Sequence, residues 1–400
     1  MSNPVKEKKS IFRSDGFQSL LASLICIVLG LLIGFIVLLF INPSGAAGAI
    51  GAVIKNFMNY SRASLQLKNL GNTLVKTAPL LMCSLSVLFC YKVGLFNIGA
   101  AGQYVVGACI SIYAALGLGL PWWLCLILAI VVGAVYGAIV GVLKAYCNVN
   151  EVISGIMLNW IGLYTTNMIL TSVKESTSPY TLHLRDYAPT SVLPGVGLGG
   201  LFAGNEYVSI AIPLAILIAI AIKVILDKTR FGYELKATGF NKNAAKYAGM
   251  AERRNVIVTL AIGGALAACG GAFLYLTDYE LWEVTTSAVP GMGFNGIAAA
   301  FLGGLNPVGT IFSSYFIQHI TSGGAYVDKN LYSSQISDLI SAIIIYLCGF
   351  VGFMKLTMKK MSASKAAKEV AAVNANAEPA PKSEDTPDQA AAKTEKGGNE

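Results

Sequence analysis

The feature that most constrains this chain is a series of apolar blocks, many of them longer than the roughly 20 residues that cross a bilayer. The 400 residues are 55% hydrophobic and only 12% charged, about half the charge a soluble domain uses to cover its surface. The chain therefore reads as an all-α polytopic membrane protein. A secreted disulfide scaffold, a nucleic-acid binder and a soluble enzyme are excluded on the same ground. The eight Cys form no C-x-x-C pair and sit almost entirely inside apolar runs, so they read as small packing residues. Only His183 and His319 are present, too few for a His-based metal site.

The blocks predict about ten spans, near 19–41, 70–90, 95–117, 122–143, 151–172, 207–226, 256–276, 289–304, 308–325 and 335–354. With the N-terminus inside, the inner segments hold 22 of the 29 Lys and Arg, so the positive-inside rule predicts N-in and C-in. The first span follows a basic cytoplasmic leader, 1–18, and has no small-residue cleavage site, so it is expected to remain as an anchor. The membrane domain is expected over 19–355. It carries an outer loop, 173–206, whose Pro, Gly, His183, Arg185 and Asp186 suggest order, and an outer segment, 42–69, that could lie along the membrane surface. Residues 356–400 turn to Ala, Lys, Glu, Pro and Asn and read as a disordered cytoplasmic tail.

Three features carry function. The first is the inner loop 227–255, in which Glu234–Thr238 suggests a helical turn ended by Gly239. There Asn241 or Asn243 is placed to cap a second short helix through Ala244, Ala245 and Tyr247, with Gly249 as its stop. Such a helix is either a docking element for a partner or an interfacial helix held by anionic headgroups.

The second feature is a pair of Gly-broken apolar segments, GLFNIGAAGQ at 94–103 and GMGFNGI at 291–297. They fall at corresponding places of two halves, spans 2–5 and 7–10, and run in opposite senses, the pattern of an inverted repeat with a transport path at its centre. Close packing of Gly-rich helices is the alternative. On this reading Asn97, Gln103, Asn159, Phe294 and Asn295 line or brace the path, because amides offer both donors and acceptors to a neutral polar solute. The third is span 5, where Glu151, Gly155, Asn159, Gly162 and Thr166 share one face that must avoid lipid. Lys76, a basic residue within a span, has a stem long enough to snorkel outward. No G-x-x-x-x-G-K-[ST], H-E-x-x-H or G-x-S-x-G motif occurs, so the chain is not expected to hydrolyse ATP or act as an enzyme.

Four stretches, GLFNIGAAGQ at 94–103, NEVISGIMLNW at 150–160, ATGFNKNAAKYAGM at 237–250 and GMGFNGIAAAFLGGLNPVG at 291–309, resemble permease subunits of ABC importers. The superfamily is that of branched-chain amino acids and simple sugars. Thr77-Ala78-Pro79-Leu80, the LFNIGAAGQ run and the extended first-span region are most similar to the nucleoside-type permeases that work with basic-membrane-protein-like lipoproteins. The likeness covers about residues 15–355. At Ala101, where such permeases commonly carry Glu, no role for that carboxylate transfers.

The resemblance implies that the inner loop is a coupling helix seated in a cleft of an ATPase, through Glu234, Lys236, Gly239, Asn241, Ala244, Ala245 and Gly249. It also implies a bacterial plasma-membrane location, a second permease subunit, identical or homologous, and two ATPase subunits that bind and hydrolyse ATP with Mg. An extracytoplasmic binding lipoprotein would deliver the solute. No cofactor is expected on this chain itself. Nucleosides are the expected solute and simple sugars the alternative. An ion-coupled secondary transporter is the rival of another class, disfavoured by the scarcity of intramembrane acids.

Overall fold

The computed structural model describes residues 15–333 and twelve further residues between 339 and 360. Residues 1–14 of the leader and the segment 361–400 lie outside the described residues, as does most of the span expected at 335–354. Among the described residues the fold is helical, with two isolated β-bridges, Lys174 to Thr181 and Tyr180 to Glu283, and no strand.

The helices are α1 (Asp15–Ile41), α2 (Ala46–Lys55), α3 (Ala63–Lys92), α4 (Ala100–Leu116), α5 (Trp122–Cys147), α6 (Glu151–Leu170) and α7 (Leu184–Tyr187). They continue as α8 (Leu198–Leu201), α9 (Ala211–Lys228), α10 (Arg230–Phe240), α11 (Lys242–Tyr247), α12 (Glu252–Tyr275), α13 (Met292–Leu302) and α14 (Pro307–Gly323). Four of them, α1, α3, α5 and α12, are long and apolar enough to cross a membrane.

Those four are layered in a way that identifies their solvent. Ranked from most to least apolar they run α1, α5, α12, α3, and the buried share of their apolar windows rises in the same order: 22%, 33%, 67% and 89%. In water the most apolar helix would be the most buried. Here it is the most exposed, as expected where the surrounding medium is hydrocarbon.

The two least apolar helices, α3 and α12, pack on each other at the centre, and each also packs on further helices. α12 lies against α4 and α5, and α3 lies against α13 and α14. At the α5–α12 contact the helices meet through small residues. A side chain on Gly264 would overlap the Gly133 carbonyl, and one on Gly137 the Leu260 carbonyl. Dispersion between closely placed backbones is what holds helices together in lipid.

Two expected spans are shorter than drawn. α4 begins at Ala100 because Gly94–Gly99 is not helical, and α13 has 11 residues, about 16 Å of helix, half the ~30 Å hydrocarbon core. Residues 42–69 do not stand apart from the bundle. α2 packs on α14 so closely that a side chain on Gly323 would overlap the Val53 carbonyl, and Asn56 Nδ2 donates to the His319 carbonyl at 3.0 Å.

Local sequence sets the helix starts. Asn150 Oδ1 accepts from Val152 N at 2.8 Å to cap α6, Thr229 Oγ1 accepts from Gly232 N at 3.0 Å to cap α10, and Asn306 Oδ1 accepts from Val308 N at 3.0 Å ahead of Pro307 in α14.

Candidate functional site

The start of α4 is built by side chains from three helices. Its N-cap residue Gly99 has no side chain to satisfy the free N–H groups of the first turn. Asn159, from α6, supplies the missing cap: its Oδ1 accepts from Gly102 N at 2.7 Å, and its Nδ2 donates to the Ile98 carbonyl at 3.1 Å. Asn97 completes the joint, donating to Gln103 Oε1 at 2.8 Å and to Ser86 Oγ at 2.9 Å, while Ser86 donates to the Gly263 carbonyl on α12 at 2.6 Å.

Asn97, Gln103 and Asn159 are each at most 2% exposed, so their amides serve the protein and hold the broken segment in shape. The polar face of α6 is thereby explained. Gly155, Asn159, Gly162 and Thr166 are buried against neighbouring helices, and Glu151 at its first residue is paired with Lys144 Nζ at 2.6 Å.

The second Phe-Asn pair is placed differently. Phe96 and Asn97 precede α4, whereas Phe294 and Asn295 lie in the first turn of α13. Phe294 is 39% exposed, and Asn295 is partly exposed with no side-chain hydrogen bond among the described residues. The two broken segments nonetheless meet, since a side chain on Gly293 would overlap Ala101.

At one end of α12 the connection from α9 forms the hairpin α10–α11. Asn241 Oδ1 accepts from Ala244 N at 3.0 Å, so Asn241 is the cap of α11, and Gly249, with φ +79°, takes the left-handed conformation after its end. The expected turn over 234–238 is a full helix that runs through Gly239 to Phe240. Gly239 does not end it because its small size is needed for another purpose. A side chain there would overlap the Val93 carbonyl, and Gly94 (φ +78°) faces it from the α3–α4 joint.

The base of the hairpin is fixed on α12 by Asn255, whose Nδ2 donates to Thr238 Oγ1 at 2.9 Å and to Glu234 Oε1 at 3.2 Å. Of the expected coupling residues, Glu234, Gly239 and Ala245 thus pack or bond within the chain, and Lys236 pairs loosely with Asp227 at 3.7 Å. Asn241, Ala244 and Gly249 remain exposed. Beside them stand Phe240 at 96% and Tyr247 at 93% exposure, which the reading of the sequence did not single out for the site.

At the other end of α12, residues 173–206 and 276–291 interlock. Asp278 is buried and accepts from Leu184 N at 3.0 Å, with Arg185 Nε at 3.8 Å, and Arg185 in turn donates to Glu206 Oε2 at 2.9 Å. Trp282 Nε1 donates to Asn167 Oδ1 at 2.9 Å. Lys76 does not snorkel free. Its ammonium meets Glu280 Oε1 at 2.5 Å and lies 5.4 Å from the Tyr279 ring centroid. Burial raises the Tyr279 phenol above its ordinary pKa, against the pull of the Lys76 charge.

Residues 69–349 match the family described as the permease component of the branched-chain amino acid transport system. The chain belongs to this permease family. The permease is 31% identical over 349 residues to the guanosine ABC transporter permease NupP of Bacillus subtilis, covering 86% of this chain and 96% of the relative. It is 30% identical over 356 residues to the nucleoside ABC transporter permease NupB of Lactococcus lactis, covering 87% and 96%. To the glucose ABC transporter permease TsgB13 of Haloferax volcanii it is 28% identical over 287 residues, covering 69% and 74%. No solved structure matches the permease.

Proposed function

We propose that this permease forms part of the translocation path of a nucleoside importer in a bacterial plasma membrane. Its ten spans run N-in and C-in, and spans 2–5 and 7–10 form an inverted repeat. The observation that carries the solute is likeness along nearly the whole chain to one permease named for guanosine and another named for nucleosides. Simple sugars are the second reading, favoured by the likeness to the glucose permease over 69% of the chain. In this assignment the hairpin α10–α11 faces the cytoplasm and the interlocked loops 173–206 and 276–291 face outward.

The mechanism follows from the two joints. The permease holds no nucleotide and needs no cofactor of its own. ATP and Mg are handled by separate ATPase subunits that receive Phe240 and Tyr247, while a binding lipoprotein delivers the solute outside and a second permease completes the path. Displacement of the hairpin acts on α12 through Asn255 and on the α3–α4 joint through the Gly239–Val93 contact. It therefore moves the segment that Asn97, Gln103 and Asn159 brace. Phe294 and Asn295, partly exposed at the start of α13, are the members of the expected path set placed to meet the solute.

The test is uptake by the importer reconstituted from this permease, its second permease subunit, its cognate ATPase and its cognate binding lipoprotein. Labelled guanosine is expected to accumulate only with ATP inside the ATPase compartment, and excess glucose is expected not to compete. Accumulation of glucose in place of guanosine would transfer the assignment to sugars, and accumulation collapsed by an uncoupler at constant ATP would move it to an ion-coupled carrier.

A further inference from the structure

Lys76 stands on α3, the most buried of the four long helices, and its side chain is 30% exposed; that of Glu280 is 37% exposed. A charged pair this open at a span is excluded from hydrocarbon by its desolvation cost, so it faces water or another protein. The pair also joins the two proposed halves. Lys76 belongs to the first, and Glu280 lies on the connection from α12 to α13 in the second. Contacts at that junction are the ones an alternating movement of the halves makes and breaks.

The chemistry around the pair is selective. An ammonium and a carboxylate at 2.5 Å cancel in charge, so the junction neither attracts nor repels ions, yet it carries three donors and several acceptor lone pairs. The Lys76 ammonium sits 5.4 Å from the Tyr279 centroid, and Tyr279 is held edge-on by Tyr207 with centroids 5.2 Å apart. Withdrawal of Lys76 therefore frees two things together, a carboxylate that can accept from two neighbouring hydroxyls and the flat face of an oriented aromatic ring.

We propose that Lys76, Glu280 and Tyr279 form a solute-contact site at the outer end of the path, specific for a neutral solute that carries vicinal hydroxyls and a flat ring. The solute displaces Lys76, its hydroxyls donate to Glu280, and its ring packs on Tyr279. The site deepens the nucleoside reading and rests on it.

The test compares import of guanosine and 2′,3′-dideoxyguanosine by the complete reconstituted importer, with the lipoprotein saturated by either solute and rates normalised to permease in the membrane. Glu280→Gln is expected to slow guanosine about tenfold, the order of a lost hydrogen bond to a charged group, and to leave the dideoxy compound nearly unchanged. Glu280→Asp is expected to restore part of the preference and also serves if the Gln variant does not insert. Tyr279→Leu should slow both solutes, and Tyr279→Phe neither. If the wild type imports guanosine but Glu280→Gln slows the two solutes alike, or slows neither, the pair is only structural and this proposal falls while the nucleoside reading stands. A wild type that imports no nucleoside removes both.

Discussion

The two ends of α12 are finished in opposite ways. At the end near Tyr275, polar groups are turned inward: Asp278 holds the backbone of α7, Arg185 bridges to Glu206, and Trp282 is tied to Asn167. At the end near Glu252 only the base of the α10–α11 hairpin is tied down, through Asn255, while Phe240 and Tyr247 project with almost their whole surfaces bare. The first end is cross-tied by buried polar contacts within the chain. The second presents large aromatic side chains of the kind that anchor interfaces, and it meets the α3–α4 joint through the Gly239–Val93 contact. The two ends therefore differ in how they are held: one is cross-tied by buried polar contacts, and the other is tied at its base and bare at its tip.

The largest expected effect of a single change lies in the cross-tied end. Asp278→Ala removes the acceptor of the Leu184 amide and leaves Arg185 without its buried partner. Asp278 accepts from two backbone amides, Leu184 N at 3.0 Å and Arg185 N at 3.4 Å, and each buried donor left unpaired costs about 1–3 kcal/mol. The detergent-solubilised variant should lose most of its monodisperse fraction and unfold at a clearly lower temperature. Wild-type behaviour would show that Asp278 does not hold these loops together.

A smaller effect separates the two Phe-Asn segments. Asn97→Ala strips hydrogen bonds from buried Gln103 and Ser86, at a cost of about 1–3 kcal/mol, and should lower thermal stability and transport together. Asn295→Ala removes no internal hydrogen bond among the described residues, so stability should hold while uptake per inserted molecule falls. Equal losses of stability in both variants would make Asn295 a brace as well.

What could be read from the sequence was local or periodic. The Asn241 cap, the Gly249 stop and the buried face of α6 each follow from neighbours within a turn or two. What could not be read depended on distant chain. Gly239 looked like a helix end because its close contact, Val93, comes from another helix. Glu280 is one acid in a short loop, and only its position after span 7 marks it as a partner for Lys76. Phe-Asn among glycines reads alike at 96–97 and 294–295, yet the string does not say where the helix begins, and that decides which amide is buried. Nothing local in the sequence says whether Phe240 and Tyr247 turn inward or outward, and their exposure depends on how the hairpin packs.

The smallest expected change in stability carries the sharpest statement about the end that is bare at its tip. Phe240 and Tyr247 contribute almost no buried area within the chain, so the double variant Phe240→Ser, Tyr247→Ser should keep its unfolding temperature, as surface substitutions within about 0.5 kcal/mol do. If the hairpin tip is the ATPase seat, the same variant loses two aromatic anchors, each typically worth about 2 kcal/mol or more at an interface. Co-purified ATPase should then fall at least tenfold, and solute-stimulated ATP hydrolysis should fall with it. A drop in stability without loss of the ATPase would place the aromatics inside the permease's own assembly. Unchanged ATPase binding at unchanged stability would mean that the tip meets headgroups instead, and vesicles rich in anionic lipid should then protect a labelled Cys introduced at Asn243 from a water-soluble quencher.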